Sequence, residues 1–450
     1  MRQDRTTPIA KNKKPGAYAI IITVLIVLIV LTNLIAWNSK ELSDLYRDNI
    51  FVIWGPLYGK VTGLTDRSVG EIMLGVALLL ILLFIMALII LTVSRITSSF
   101  RKRRVSQISE GGGIPQAHAR TVTDRVCVVY LKVFALILCI VALIQTFNCF
   151  VLYHTSTFEE KYVSEYLKDK GDRKYTIEEL GALRDLVVMR ANELGDKLPR
   201  DASGNLTYEK DMATEAVESM KELGMTYDGL SGYYGRPKAL YTSEFFSQQY
   251  IMGYYFPFSM EANYNDVMYI ANIPHTMCHE LAHTKGFISE DEANLIGFLA
   301  CIRSDDDFFE YSGYLSVLGY LDSDLKESIM VDTAARHGLK VSSKEEITQE
   351  SLEAAGVDVS AYTEEIHAEY DTHVVISDKV RQDRVFLTKE AWDRVEQNAV
   401  IDTETVHAAS DAFINTNLKA NGVSQGDAIY SEVVALLMDF YVYNIEEELQ

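Results

Sequence analysis

Cysteine is scarce in this chain, with five in 450 residues. Three of them, Cys127, Cys139 and Cys149, fall in or beside a long apolar run. Only Cys278 and Cys301 remain, which excludes a disulfide framework and leaves room for at most one bridge. Cys278 projects from a different helical face than the histidine that follows it, so it reads as a small buried hydrophobe. Basic residues are also short: 42 Lys plus Arg stand against 63 Asp plus Glu, a net charge of −21. No fixed-period repeat is present, which excludes a solenoid or propeller. The glycine-rich stretch Gly111-Gly-Gly-Ile-Pro115 follows no strand, so it is a flexible link rather than a phosphate cradle.

The charge that is present is unevenly placed. Residues 1–152 carry +9, leaving −30 for residues 153–450. An acidic surface of that size makes nucleic acid and anionic lipid poor partners for the C-terminal part and favours solubility.

The first 152 residues read as a membrane anchor. Ala17 to Trp37, Ile72 to Val93 and Val133 to Leu152 each run about twenty residues without a charge, enough to cross roughly 30 Å of hydrocarbon. The first run lacks a small-residue cleavage site and reads as a retained span. Basic residues concentrate in the N-terminal tail (Arg2, Arg5, Lys11, Lys13, Lys14) and in the loop 95–125 (Arg95, Arg101, Lys102, Arg103, Arg104, Arg120, Arg125). Because such residues stay on the cytoplasmic side, the N-terminus is expected inside and residues 153–450 outside the cell membrane.

Residues 153–450 are expected to fold as a mainly helical, zincin-like α+β domain. Thr176 and Glu179 form a capping box ahead of Leu180, Leu183, Val187 and Val188, which recur at helical spacing. Further helices are expected over Glu390–Val400, Thr405–Lys419 and Tyr430–Ile445, the last as a core helix. Gln249–Phe256 and Met260–Asn265, separated by Pro257-Phe-Ser259, predict a hairpin, and hence a small sheet, just before the next helix. Pro274 starts that helix and Gly286 ends it.

That helix contains His279-Glu-Leu-Ala-His283. At 3.6 residues per turn the two histidines stand one above the other, so both imidazoles reach one metal while Glu280 sits beside them as a base. A catalytic zinc ion needs three protein ligands and an open position for water. The spacing Glu290-x-x-x-Asn294 is similar to the gluzincin class, in which a Glu on a second helix is the third ligand and the residue four positions on orients a ligand histidine. Glu292 is the rival third ligand; its structural alternative is to complete a capping box with Ser289. The expected chemistry is hydrolysis of peptide or protein substrates by a zinc-activated water, with Glu280 as general base. Tyr311, Tyr314, His373 and Tyr430 are each able to stabilise an oxyanion, and nothing in the pattern selects one.

The run His279-Glu-Leu-Ala-His-Thr-Lys-Gly-Phe-Ile-Ser-Glu-Asp-Glu-Ala-Asn294 resembles a family of bacterial membrane proteins classed as a domain of unknown function. So do Ile50–Tyr58 between the first two spans, Tyr175–Leu180, Pro257–Asn265, Tyr311–Tyr314 and Leu418–Gly422. The resemblance implies a membrane-anchored, peptidase-like protein and leaves its substrate open. The competing reading is a non-enzymatic sensor that binds zinc or another ligand outside and signals through the spans. An intramembrane protease is disfavoured because Asn265, Asp266, Asn272, Glu290 and Asp291 flank the histidines.

Overall fold

The computed structural model describes residues 16–108, 121–163, 168, 174–341, 343–420 and 432–441. The basic N-terminal tail, Gly111–Pro115 and Tyr430 lie outside them. The described chain forms two compact units, one of residues 16–39 and 73–147 and a larger one of residues 40–72 and 148 onward.

The smaller unit is built on three long apolar helices, Ala17–Asn38, Val69–Ile108 and Val122–Gln145. Each is long and apolar enough to cross a bilayer, and a helix satisfies its own backbone where no water can. The third starts at Val122, eleven residues before the expected Val133, behind a capping box of Thr121 and Asp124. Polar side chains tie the helices to one another. Asn33 Nδ2 donates to Thr146 Oγ1 at 3.0 Å, Ser94 Oγ to Asp124 Oδ2 at 3.0 Å and Tyr130 OH to the Leu80 carbonyl at 2.6 Å.

The larger unit is a helical body around one three-stranded sheet. Ile177–Lys197 begins at the expected Thr176–Glu179 capping box and buries Leu180, Leu183, Val187, Val188, Ala191 and Leu194. This apolar stripe packs on the 30-residue helix Asp307–Arg336 through Leu318, Leu321 and Leu325. Met212–Thr226, Ile273–His283 and Glu290–Ile302 complete the core. The late helices run Lys389–Asn398 and Thr403–Ala420; of the expected Tyr430–Ile445 helix, residues 432–441 are described, and they bury Val433, Leu437 and Phe440. Cys278 and Cys301 are free thiols, both buried.

The expected hairpin is present. β2 (Gly253–Phe256) pairs antiparallel with β3 (Glu261–Tyr264), with Gly253 opposite Tyr264 and Phe256 opposite Glu261. β1 (Lys238–Ala239) adds to β3 in parallel, so β3 is central and β2 is an edge. Residues 40–72, which the sequence groups with the first 152 residues, pack with this sheet. Lys238 Nζ donates to the carbonyls of Thr62 and Arg67 at 2.8 and 3.1 Å, and Glu261 accepts from the Val69 and Gly70 amides at 3.3 and 2.9 Å. Lys238 and Glu261 also pair with each other at 2.5 Å, both buried.

Candidate metal centre

Two short helices meet at the site because the chain between them turns sharply. Pro274 occupies the first turn of Ile273–His283, where its missing N–H is no loss. The helix stops at His283, and Gly286 adopts φ +91°, a left-handed conformation that suits glycine. Ser289 is extended, and the next helix opens at Glu290. Glu290 therefore projects from a first turn back toward the histidines it follows.

His279, His283 and Glu290 converge. His279 Nε2 lies 3.1 Å from Glu290 Oε2 and 3.1 Å from His283 Nε2, and His283 Nε2 is 3.9 Å from Glu290 Oε1. Among the described residues this is the group whose ligand atoms all lie within 4.8 Å of one another. Ligands about 2.0–2.2 Å from a tetrahedral zinc stand roughly 3.3–3.6 Å apart, so the three atoms are spaced to hold such an ion. The other ring nitrogens are engaged. His279 Nδ1 is 2.9 Å from Asn294 Oδ1, and His283 Nδ1 is 2.8 Å from the Phe287 carbonyl. A carbonyl accepts only, so His283 donates from Nδ1 and its neutral ring has the lone pair on Nε2; Asn294, with Oδ1 as assigned, selects the same tautomer at His279. Two lone pairs and a carboxylate thus face one another.

Electrostatics follows from that crowding. Burial lowers the basicity of His279, but the hydrogen bond and charge of Glu290 outweigh it and hold this imidazole above its ordinary value. Burial, reinforced by His279, brings His283 down to about 4. Burial would raise Glu290, yet the His279 hydrogen bond and the charges of both histidines bring it to about 2. Glu290 is flanked by protein, but its side chain keeps 46% of its exposure, so the centre is reachable from solvent.

Glu280 stands beside the cluster in a tighter place. Burial pushes its carboxyl up to about 8, and the charge of Glu290 adds to the shift. Its Oε2 is buried with no hydrogen-bond partner, while the Tyr255 amide on β2 donates to the carboxylate. β2 comes so close that a Cβ on Gly253 would sit 2.4 Å from Glu280 Oε1. Only glycine lets the strand approach there. That contact left no signal in the sequence beyond a glycine in a strand, and the sequence reading missed it.

Glu292 does neither of the things expected of it. It points away from the histidines and accepts a hydrogen bond from the Phe158 amide, capping the short helix Phe158–Tyr162 rather than its own. Ser289 makes no side-chain cap; its hydroxyl donates to Asp291 instead. Burial pushes the Glu292 carboxyl up to about 8. The oxyanion candidates are engaged elsewhere. Tyr311 donates to Asp383 at 2.6 Å, Tyr314 interacts with Arg190 and Glu310, and His373 Nδ1 is 2.9 Å from Asp185. Residues not foreseen stand closer. The Tyr255 ring lies 5.9 Å from that of His283, and Cys149 and Tyr153 are near enough to Glu290 to feel its charge.

No curated protein and no solved structure matches this chain. A family described as protein of unknown function (DUF3810) matches residues 46–374, which takes in segment 46–72, the sheet and both helices of the histidine–glutamate cluster. The chain belongs to that DUF3810 family.

Proposed function

We propose that the larger unit is a membrane-anchored, zinc-dependent peptidase of gluzincin-like design. One observation carries this reading: both Nε2 atoms and Glu290 converge at 3.1–3.9 Å while both Nδ1 atoms are already held. Two largely buried imidazole nitrogens and a carboxylate this close share at most one proton, and a divalent cation would satisfy all three at once. His279, His283 and Glu290 would hold the ion, with Asn294 and the Phe287 carbonyl fixing the imidazoles. Zinc bound there would bring the pKa of a water to about 7 and polarise a carbonyl.

The chain's own residues supply the remaining functions. Glu280 accepts the proton of the attacking water and passes it to the leaving amine. The Tyr255 amide holds one side of that carboxylate, and the unpartnered Oε2 is the side free to act. β2, as an edge strand, offers main chain to an extended peptide, a mode that demands little of substrate sequence. Glu280→Gln keeps volume and hydrogen bonding but removes the proton acceptor. It is expected to retain zinc and to cut turnover of unfolded or peptide substrates at least about a hundredfold; unchanged turnover would end the general-base assignment.

The sensor reading rests on a different contact. Glu261 on β3 accepts from the first amides of the second-span helix, and β3 carries β2 against Glu280. A metal-loaded chain inert toward diverse peptides, with Glu280→Gln indistinguishable from wild type in cells, favours it. On either reading the positive-inside bias supports an orientation with the larger unit outside the cell. A cysteine at exposed Val400 is expected to react with impermeant thiol reagents on intact cells; protection there overturns the orientation.

A further inference from the structure

Segment 40–72 inverts the amphipathic rule. A helix in a water-soluble body buries its apolar face and exposes its polar one. Here the face against the protein carries the small and polar residues Ser43, Arg47, Gly55, Gly59 and Thr62 beside the aromatic rings of Tyr46, Phe51 and Tyr58. The exposed side is mostly apolar, with Glu41, Asp48, Asn49 and Lys60 interspersed. Along Lys40–Tyr46, the π-turn Arg47–Phe51 and Val52–Thr62 it presents Leu45, Ile50, Ile53, Leu57 and Val61 at three- to five-residue spacing. Ile53, Leu57 and Val61 are 62%, 57% and 63% exposed, whereas Arg47 is 4% exposed. Arg47 is held inward by Thr155 Oγ1 at 2.9 Å and the Ser156 carbonyl at 2.8 Å.

The chain itself states what covers this face. The segment is entered from the span Ala17–Asn38 and leaves into the span beginning at Val69, so both its ends are fixed at a bilayer surface. Trp54, exposed on the same side and stacked on Tyr58 at 5.2 Å, is the residue type favoured at headgroup depth. Tyr241, also exposed, has its amide bonded at 2.9 Å to Glu71 in the first turn of the second-span helix.

We infer that Lys40–Thr62 is an in-plane interfacial helix whose occupant is the lipid bilayer, a second kind of membrane contact beside the spans. Its rear face is the support of the metal centre. Gly55 lies 3.2 Å from Met260 Cε and 3.8 Å from the Thr284 carbonyl, measured from an added Cβ, and a Cβ on Gly286 would meet Arg47 and Phe51. The end of the His279–His283 helix is thereby seated on the inner side of a helix whose outer side is in lipid. The inference stands whether or not the centre is catalytic.

The test uses the full chain in phosphatidylcholine nanodiscs. Leu57→Cys is expected to react with an impermeant maleimide at least about tenfold more slowly than Asp66→Cys, although both positions are exposed in the protein alone. A second copy of the chain would also protect Leu57, so a second measurement separates the occupants. Trp54 fluorescence, taken as the difference between the chain and its Trp54→Phe variant, is expected to be quenched more by lipids spin-labelled near the headgroup than by lipids labelled at the chain end. Equal thiol reactivity at the two positions overturns the inference. So does protection of Leu57 without lipid quenching of Trp54.

Discussion

Two buried polar clusters in the larger unit use similar side chains to opposite ends. At Asp383 both carboxylate oxygens are matched. Arg200 donates at 3.0 and 2.6 Å, Tyr269 at 2.8 Å and Tyr311 at 2.6 Å, and the aspartate is fully buried. Only Arg200 Nε in that cluster lacks a partner. At His279 the accounting fails to close, with two imidazole lone pairs, Glu290 and Glu280 Oε2 crowded together and at most a proton between them. A network that closes on itself holds a fold together. One that stays open at its centre is what the proposed metal site requires.

The contrast predicts opposite responses to substitution. The largest effect belongs to the closed cluster: Asp383→Ala strands the Arg200 charge against Tyr269 and Tyr311. It should cost about 3–5 kcal/mol of stability, seen as loss of the folded chain in thermal denaturation. A variant melting within a degree or two of wild type would erase the distinction. In the open cluster, removing a charge should stabilise the metal-free protein. Glu280 has a folded pKa of about 8, above its ordinary value near 4.5. Below about 4.5 the carboxyl is protonated in both states and costs nothing. As pH rises, the unfolded state gains by ionising and the folded state does not, so the cost grows until about 8 and then levels. Metal-free Glu280→Gln should therefore match wild type near pH 4 and exceed it by a few kcal/mol at pH 8. A gap that narrows with rising pH contradicts the burial of this carboxyl.

Much of the candidate site was legible because it is local. His279, Glu280 and His283 share one helix, Glu290 and Asn294 share the next, and the turn between them is signalled by Gly286 and Ser289. Such spacings translate directly into geometry once the helices form. The hairpin was legible for the same reason. What was not legible depends on partners far along the chain. Glu292 bonds to Phe158, 134 residues away, so its local capping-box pattern misled. Gly253 gives no hint in sequence that it faces Glu280, Cys149 reads only as the end of a span and Tyr153 only as the first residue after it. The grouping of residues 40–72 with the larger unit was hidden too, since Arg47, Phe51, Tyr46 and Tyr58 find their partners far along the chain, among them Thr155, Tyr255 and Met260.

The central claim is that the open cluster is a metal site, and zinc content of the purified full chain tests it most directly. Wild type should carry about one equivalent. His279→Ala and His283→Ala should lose most of it, and Glu292→Ala should keep it, because Glu292 serves the Phe158 helix. Acidification should release the ion as protons return to the imidazoles. A wild-type chain that takes up no zinc at neutral pH, or a His279→Ala, His283→Ala double variant that binds it as well as wild type, would contradict the account.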